Sequence, residues 1–166
     1  MRDVIRTMRA SDYDAVLRLN EESVQVLSPM SAHHLAELHA NSALHMIFGA
    51  RERVSAFLLA FREHAFYDSV NYLWFAQRFK RFLYIDRVVV SAASRGQGIG
   101  TALYRHAFAH AADSAVPLMA CEFDLEPPNP ASQRFHLMFG FHEVGRQVVG
   151  SGKKTVSLQV ANVSNL

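Results

Sequence analysis

The order of apolar and polar positions along the chain predicts the strands and helices of an α/β (α+β) domain. Apolar residues alternate with polar ones over Lys154–Val160, as expected for a strand with one buried face. Over Ile99–Ala111 the apolar residues recur every four positions, the spacing of a core-facing helix side. Strands are predicted at Asp3–Met8, Leu44–Phe48, Val54–Phe61, Phe82–Val90, Pro117–Phe123, Phe141–Val149 and Lys154–Val160. Helices are predicted after the capping box Ser11-x-x-Asp14, after the N-cap Ser31, at Thr101–Ala112 and at Asn129–Phe139.

One long segment, Arg62–Arg81, has no clear periodicity and is predicted to be an irregular loop. Aromatic residues are concentrated in this segment. Long loops often carry binding residues, and clustered aromatic rings exclude water from a bound group. We therefore expect Phe66–Phe82 to form a lid over a ligand.

The most specific motif is Arg95-Gly96-Gln97-Gly98-Ile99-Gly100, which follows the apolar run Val88–Val90 and precedes a predicted helix. N–H groups at a helix start have no partner within the helix, and the positive end of the helix dipole lies there. Glycines let an anion approach the backbone closely, and Arg95 adds a permanent charge. The motif therefore predicts a pyrophosphate site. Its spacing does not fit G-x-G-x-x-G, and Gly145–Gly150 lacks the Lys and Ser or Thr that a Walker loop requires.

The form Arg-x-x-Gly-x-Gly after an apolar strand resembles the pyrophosphate loop of the GNAT (Gcn5-related N-acetyltransferase) superfamily. A second segment, Asn129–Phe141, is similar to another signature of that family, in which Asn opens a helix, Tyr follows seven residues later and Gly-Phe ends it. His136 stands where the family has Tyr, and Ser132 stands where it has a small residue. With the order of elements, the resemblance extends over about Asp3–Val160.

This resemblance implies a fold and a cofactor. We expect a GNAT-type acyl-CoA N-acyltransferase fold, with a mostly antiparallel mixed sheet of six to seven strands flanked by about four helices, in a single domain over residues 1–166. The implied cofactor is acetyl-CoA. A backbone N–H near Val88 would face the thioester carbonyl as an oxyanion donor. The residues implied to bind the cofactor are Val88, Val89, Val90, Arg95, Gly96, Gln97, Gly98, Ile99, Gly100, Thr101, Asn129, Ser132, Phe135 and His136.

The resemblance also implies a reaction, the direct attack of a primary amine of a small-molecule or amino-acid-like acceptor on the thioester. This attack needs a base for the amine and a proton donor for the departing thiolate. His136 occupies the place of the proton donor. An imidazolium is a stronger acid than a phenol, and a histidine side chain is partly charged near neutral pH. Asp86 and Tyr84 share one strand face and are candidates for the base, with a salt bridge as the structural interpretation of Asp86. The residues expected to bind the acceptor are Glu21, Glu22, Trp74 and Glu122.

A second class of function stays open at this point, because His136 replaces the usual acid of the family. The chain would then be a non-catalytic acyl-CoA-binding sensor or interaction module, and His136 a neutral, packed side chain. Cys121 is interpreted as a core residue rather than a nucleophile. The histidine pairs lack the pattern of a zinc site, so we expect no metal.

Composition is compatible with one globular domain. The chain has 166 residues, of which 50% are hydrophobic and 19% charged. A net charge of +2 is too mild to indicate a nucleic-acid partner, and no apolar run approaches the roughly 18 residues of a membrane span. The first residues lack an apolar signal segment, and a single cysteine fits a reducing compartment. We expect a cytoplasmic monomer or homodimer.

Overall fold

The computed structural model describes residues 4–23, 29–50 and 53–165, and seven strands in these residues form one mixed sheet. The strands are β1 (Ile5–Thr7), β2 (Leu44–Ala50), β3 (Arg53–Arg62), β4 (Leu83–Val90), β5 (Leu118–Glu126), β6 (His142–Val149) and β7 (Lys154–Asn162). Their order across the sheet is β1-β2-β3-β4-β5-β7-β6. β4 and β5 are parallel, whereas the pairs β1–β2, β2–β3, β5–β7 and β6–β7 are antiparallel. The predicted sheet is thus confirmed, although Asp3 of its first strand lies outside the described residues.

Five α-helices occur in the described part of the chain. They are α1 (Tyr13–Glu22), α2 (Ala32–Asn41), α3 (Val70–Ala76), α4 (Ile99–Asp113) and α5 (Pro130–Met138). Four of them correspond to the predicted helices, and α3 is the additional one. The helix expected from Thr101 starts two positions earlier, so that its first turn directly follows Gly98.

Two of the predicted helix starts are confirmed by side-chain caps. Ser31 Oγ accepts a hydrogen bond from the backbone N–H of His34 at 3.1 Å at the start of α2. Asn129 caps α5 in the same way, because its Oδ1 accepts from the N–H of Ser132 at 3.3 Å, and Pro130 occupies the first helical position. These caps are local in sequence, which is why the pattern alone located them.

The capping box predicted at Ser11 is wrong. Ser11 lies within a short 3₁₀ turn, Ala10–Asp12, and α1 begins only at Tyr13. The carboxylate of Asp12 accepts from the backbone N–H of Arg9 at 2.8 Å and from Arg6 Nη2 at 2.7 Å. The ion pair with Arg6 of β1 therefore determines the geometry of this turn, and a serine pattern does not reveal it.

The prediction of an irregular loop over Arg62–Arg81 is also wrong in part, because the segment contains α3. Ser69 Oγ accepts from the N–H of Tyr72 at 3.4 Å, and the side chains of Tyr72 and Phe75 are 1% and 0% exposed. A helix of seven residues makes only about two turns, too few for an apolar period to be recognised in the sequence.

The chain separates into two compact units, Met1–Phe61 with Ile85–Ala107 and Arg62–Tyr84 with Phe108–Leu166. Each unit has its own apolar interior. Buried side chains of the first unit include Val16, Leu35, Ile47, Phe57, Leu59, Val89 and Leu103. Those of the second include Tyr72, Phe75, Phe82, Tyr84, Phe108, Met119, Phe139 and Leu158. The single domain over residues 1–166 stays a prediction.

Candidate active site

The glycine motif forms the turn that leads into α4 in the first unit. Gly96 and Gly98 have φ angles of +78° and +77°, in the left-handed region, whereas Gln97 between them is not among the residues with positive φ. Backbone that alternates between right-handed and left-handed conformations turns successive N–H groups toward one side, an arrangement that binds anions in other proteins. Anion binding by this loop stays a prediction. A Cβ at either glycine would meet no atom within 4 Å. Glycine is therefore favoured by the backbone conformation and not by crowding.

The start of α4 adds further donors to this loop. The first helical hydrogen bond runs from Ala102 N to Gly98 O at 3.0 Å. The N–H groups of residues 99–101 precede that bond, and the positive end of the helix dipole lies beside them. Arg95 is exposed, and its Nε donates to Val90 O at 3.3 Å. The loop thus combines aligned N–H groups with one permanent cation.

Side chains at the end of β4, the strand before the loop, are alternately buried and half-buried. Val89 is 3% exposed, whereas Val88 and Val90 are half-buried on the other strand face. Ser91 N donates to Ser55 O at 2.8 Å, which fixes the end of β4 against β3. The cofactor contacts expected of Val88, Val89 and Val90 stay predictions.

Asp86 forms an ion pair with its neighbour on β4. Its Oδ2 accepts from Arg87 Nε at 2.6 Å, and both side chains are 6% exposed. Arg87 Nη1 also donates to Oδ1 of the buried Asn20 on α1 at 2.9 Å. The salt bridge that was the structural interpretation of Asp86 is therefore present, and its role as a base stays a prediction.

Glu21 and Glu22 end α1 and are exposed to solvent. Carboxylates at a helix C-terminus lie beside the negative end of the dipole, so they do not stabilise the helix there. Their position suits attraction of a cation, and their acceptor-binding role stays a prediction.

Two candidate residues of the second unit are brought together. Tyr84 Oη donates a hydrogen bond to Glu122 Oε2 at 2.7 Å. The parallel register places Tyr84 opposite Ala120, so Glu122 lies two residues further along β5 on the same face. Tyr84 is fully buried and Glu122 is half-buried. The sequence indicated both residues separately, but only the strand register shows that they form a pair.

Trp74 lies on α3, and its indole is in close contact with the backbone of β6. A Cβ built on Gly145 would be only 2.5 Å from Trp74 Cζ2. The guanidinium of Arg78 lies 4.0 Å from the ring centroid, in a cation–π contact. Trp74 thus anchors α3 to β6, and its contact with an acceptor stays a prediction.

The expectation that Phe66–Phe82 forms a lid is wrong for three of its seven aromatic side chains, and for the others it stays a prediction. Tyr72, Phe75 and Phe82 lie in the interior of the second unit, with ring centroids 5.8 Å and 6.4 Å from Phe82 to Tyr72 and Phe75. Phe66 is 90% exposed. Burial of these apolar rings stabilises the interior of the second unit, and this gain exceeds the conformational freedom that an irregular segment would keep.

His136 lies on α5, and aromatic rings enclose its side chain. It is 5% exposed, and the ring centroids of Phe123, Phe135 and Phe141 lie 5.7, 5.4 and 5.3 Å from its own. The α5 C-terminus is closed by Gly140, whose φ is +78°, and the N–H of Phe141 donates to His136 O at 3.2 Å. The cofactor contacts predicted for Asn129, Ser132 and Phe135 stay predictions.

A hydrogen bond determines the tautomer of His136. Its Nδ1 lies 2.7 Å from the carbonyl oxygen of Ser132 and 3.2 Å from Ser132 Oγ. A carbonyl oxygen only accepts, so Nδ1 carries a hydrogen, and in the neutral ring the lone pair is on Nε2. Burial lowers the pKa of His136 below its ordinary value of 6.5, opposed by the hydrogen bond to Ser132. Burial thus favours the neutral form of the ring, and the role of His136 as a proton donor stays a prediction.

Cys121 is buried in β5, and burial raises the pKa of its thiol well above the ordinary value. The interpretation of Cys121 as a core residue is confirmed. Among the described residues, no three His, Cys, Asp or Glu side chains are grouped so that they could hold a metal ion. No helix in the described ranges combines the length and the apolar character needed to cross a membrane.

Sequence reasoning missed one ion pair near Glu122. Asp124 lies two residues along the same face of β5, and its Oδ2 is 3.3 Å from Lys154 Nζ. The two-residue alternation of β5 would have placed both carboxylates on one face. It also missed the carbonyl of Ser132 as the group that orients His136, because no residue type signals a backbone contact.

The sequence matches the model of a known protein family. The profile of the Acetyltransferase (GNAT) family matches residues 13–141, well over half of the chain. The chain therefore belongs to the acetyltransferase (GNAT) family, and the resemblance based on its two motifs is confirmed. A comparison with curated protein sequences finds no match.

Solved structures share the fold over nearly the whole chain. Ard1 from Thermoplasma volcanium has a TM-score of 0.78 at 15% identity, over 98% of each chain. The ribosomal-protein-S18-alanine N-acetyltransferase from Escherichia coli has a TM-score of 0.73 at 15% identity, over 99% of each chain. The protein yncA from Salmonella typhimurium, solved with its cofactor acetyl-CoA, has a TM-score of 0.71 at 16% identity, over 98% of this chain and 95% of that one. At these identities the likeness shows the fold alone, and the predicted GNAT fold is confirmed.

Proposed function

We propose that this chain is an N-acetyltransferase that transfers the acetyl group of acetyl-CoA to a primary amine. The observation that carries the proposal is the loop at 95–100, in which two left-handed glycines lead into a helix start within a chain of the GNAT family. The acetyl-CoA bound to yncA supports the choice of ligand. When bound, acetyl-CoA supplies the acetyl group as a thioester.

The backbone of the loop holds the pyrophosphate in this proposal. The N–H groups of residues 96–101 and the helix dipole bind its oxygens, and the exposed guanidinium of Arg95 offsets its charge. Val88–Val90 offers backbone groups to the amide arm of the ligand, an assignment supported by the resemblance. Asn129, Ser132 and Phe135 are retained as ligand residues on the same ground.

His136 handles the proton in the proposed reaction. In its neutral form, which burial favours, the ring suits acceptance of the proton that the amine nitrogen loses as the N–C bond forms. Burial destabilises the imidazolium that results, so the ring is a strong acid at that moment. It returns the proton to the sulfur as the C–S bond breaks, and the residue ends the cycle in its starting state.

A thermal-shift experiment with paired glycine variants tests the proposed ligand. Acetyl-CoA at about 100 times its Kd stabilises a protein by about 2.7 kcal/mol, which raises the Tm of a chain of this size by roughly 5–10 °C. Gly98→Ala and Gly152→Ala both place a Cβ at left-handed φ, +77° and +86°, with no atom within 4 Å. Each change is therefore expected to cost about 1 kcal/mol of backbone strain in the absence of ligand.

Only Gly98→Ala is expected to lose the Tm increase that acetyl-CoA produces, because Gly152 lies in the turn between β6 and β7. Absence of a Tm increase for the wild type at millimolar acetyl-CoA would refute the proposed ligand. An equal loss of the increase in Gly152→Ala would refute the assignment of the loop.

A panel of primary amines with detection of released CoA thiol tests the chemistry. Amine-dependent thiol release is the expected result. Binding of acetyl-CoA without turnover on any amine would support the second candidate function, a non-catalytic acyl-CoA-binding module. The observation that favours this alternative is the burial of His136, which lowers its pKa, at the position where the family has Tyr.

The proposed acceptor is a small molecule or an amino-acid-like compound. We place the enzyme in the cytoplasm as a monomer or homodimer, without a nucleic-acid or membrane partner. The single cysteine, which is buried in its reduced form, supports a reducing compartment.

A further inference from the structure

The segment that contains α3, residues 62–82, carries the net charge of the whole chain. It has four basic and two acidic residues, and its net charge of +2 equals that of all 166 residues. Two of these charges, on Arg62 and Glu63, pair with each other at 2.5 Å. Arg78, Lys80 and Arg81 are exposed, and none of them forms an ion pair with a carboxylate of the described residues. The net positive charge is thus concentrated just after α3.

Large apolar side chains of the same segment are exposed to solvent. Phe66, Val70 and Leu73 are 90%, 58% and 39% exposed. Val70 and Leu73 are three residues apart in α3, so they lie on one face of the helix, and Phe66 lies in the turn that leads into it. Tyr72 and Phe75, on the other side of α3, are buried. Large apolar side chains that are exposed together on one element are typical of an interaction site.

The backbone on both sides of Phe66 is held by hydrogen bonds. The N–H of Ala65 donates to Tyr72 Oη at 2.9 Å, and the N–H of Tyr67 donates to the carbonyl of Ala65 at 3.0 Å. The ring of Tyr67 lies 5.4 Å from that of the buried Tyr72. Phe66 is therefore presented to solvent from an ordered turn. Covering it costs little backbone entropy, since a pre-organised surface has less freedom to lose on binding.

The basic end of the segment is also ordered. The guanidinium of Arg78 lies 4.0 Å from the ring centroid of Trp74, and its Nη1 donates to Trp74 O at 3.0 Å. Arg81 Nη2 donates to the carbonyl of Ser114 at 3.4 Å. Aromatic and arginine side chains are enriched in the residues that dominate protein–protein binding. The segment thus combines the residue types of a protein interface with a local positive charge.

The charges of the segment distinguish among possible partners. A symmetric contact with a second copy would bring the same cations against each other. An anionic lipid surface that took up Phe66 and Val70 would also have to take up the exposed carboxylate of Asp68 between them. Three cations displace few counterions from a nucleic acid, so they give little affinity for one. A protein segment with both carboxylates and apolar side chains complements the surface without these costs.

We propose that the exposed part of this segment, called the α3 surface, is a docking site for an acidic amphipathic segment of another protein. The α3 surface comprises Phe66, Val70, Leu73, Arg78, Lys80 and Arg81. Apolar side chains of the partner cover its apolar residues, and carboxylates of the partner pair with its basic end. All six residues belong to the second compact unit, whereas the glycine loop belongs to the first. Docking at this surface does not depend on the proposed acetyltransferase function.

The test measures binding of a fluorescein-labelled peptide by fluorescence anisotropy. The peptide has about 16 residues, with Leu at the i, i+3, i+4 and i+7 positions of a helix and Glu at most others. Saturable binding to the whole chain is expected. Phe66→Ser should raise the Kd about tenfold or more, and Val70→Ser about threefold or more, because buried apolar anchors dominate binding. Lys80→Gln/Arg81→Gln should raise the Kd about threefold to tenfold and weaken its dependence on salt.

Leu137→Ser and Arg105→Gln are the matched controls, because both side chains are exposed but lie on α5 and α4. Each is expected to change the Kd less than twofold. Phe66→Ser removes a ring that lies in solvent, so its Tm should stay within about 2 °C of that of the wild type. A Kd that rises equally in Phe66→Ser and Leu137→Ser would overturn the inference, because the peptide would then bind any exposed apolar side chain.

Parallel titrations test the other partners. Absence of saturable peptide binding overturns the inference, as does equal binding of a peptide with Lys in place of Glu. Tighter binding of phosphatidylserine vesicles or of a single-stranded oligonucleotide would assign the α3 surface to a membrane or to nucleic acid instead. Self-association that is lost in Phe66→Ser, measured by analytical ultracentrifugation without peptide, would assign it to a second copy of the chain and overturn the proposed partner.

Discussion

A methyl group at Gly145 would collide with the indole of Trp74. An ideal Cβ there lies 2.5 Å from Trp74 Cζ2, 3.0 Å from Cη2 and 3.3 Å from Cε2, whereas carbon atoms pack at about 3.5–4.0 Å. The ring or the strand must therefore move by about 1 Å. Overpacking of this size costs about 1–3 kcal/mol. The φ of Gly145 lies outside the left-handed region, so backbone strain adds nothing. Gly145→Ala is expected to lower the free energy of unfolding by about 2 kcal/mol.

The sign of this effect is expected to reverse when the ring is removed. In a Trp74→Ala background the new methyl group has room, and replacing a strand glycine by alanine stabilises by about 0.5–1 kcal/mol. A double-mutant cycle should therefore give a coupling of about 3 kcal/mol between the two positions. Thermal unfolding measures it directly, because 2 kcal/mol lowers the Tm of a chain of this size by roughly 4–8 °C.

A loss of stability from Gly145→Ala that is the same in both backgrounds would refute the contact. The Trp74→Ala variant also tests the sequence-based role of this side chain. An amine KM that rises more than the acetyl-CoA KM supports acceptor binding, whereas unchanged KM values leave Trp74 as the anchor of α3.

Three further predictions follow from other parts of the structure. Burial lowers the pKa of His39 and His45, whose rings lie 4.2 Å apart, so the folded state binds fewer protons than the unfolded state with its ordinary pKa of 6.5. The contribution of these two rings to folding stability is therefore complete above pH 6.5 and is lost as the pH falls below it. The double variant His39→Gln/His45→Gln should show a smaller change in Tm between pH 7.5 and 5 than the wild type. Ala115, two residues after the end of α4, has a left-handed φ of +54°, so Ala115→Gly should raise Tm by roughly 1–4 °C in a thermal melt. The kcat/KM for acetyl-CoA should rise with pH, with a midpoint below pH 6.5, and then level off. His136→Asn should abolish this rise in the pH profile.

Much of the fold could be predicted because its signals are local. Ser31 and Asn129 cap helices through atoms three residues away. The strand predicted at Lys154–Val160 is present, but the prediction that only one of its faces is buried is wrong, because Ser157 and Gln159 are also buried. The glycine turn before α4 was equally visible, because the left-handed φ values at Gly96 and Gly98 favour glycine at these positions. The helix start predicted at Ser11 was wrong, because Arg6 on β1 forms an ion pair with Asp12 and α1 begins after it, at Tyr13.

The sequence by itself thus determined the family, most of the order of the elements and the position of the glycine turn before α4, since each depends on neighbours within a few residues. Only the tertiary structure decided what the candidate side chains do. Tyr84 contacts Glu122 because β4 and β5 pair in parallel at Tyr84 and Ala120. Folding buries the ring of His136, which lowers its pKa, and brings Nδ1 to the carbonyl of Ser132. Register and burial arise from long-range packing, and they determine both the partner of a polar side chain and its protonation state.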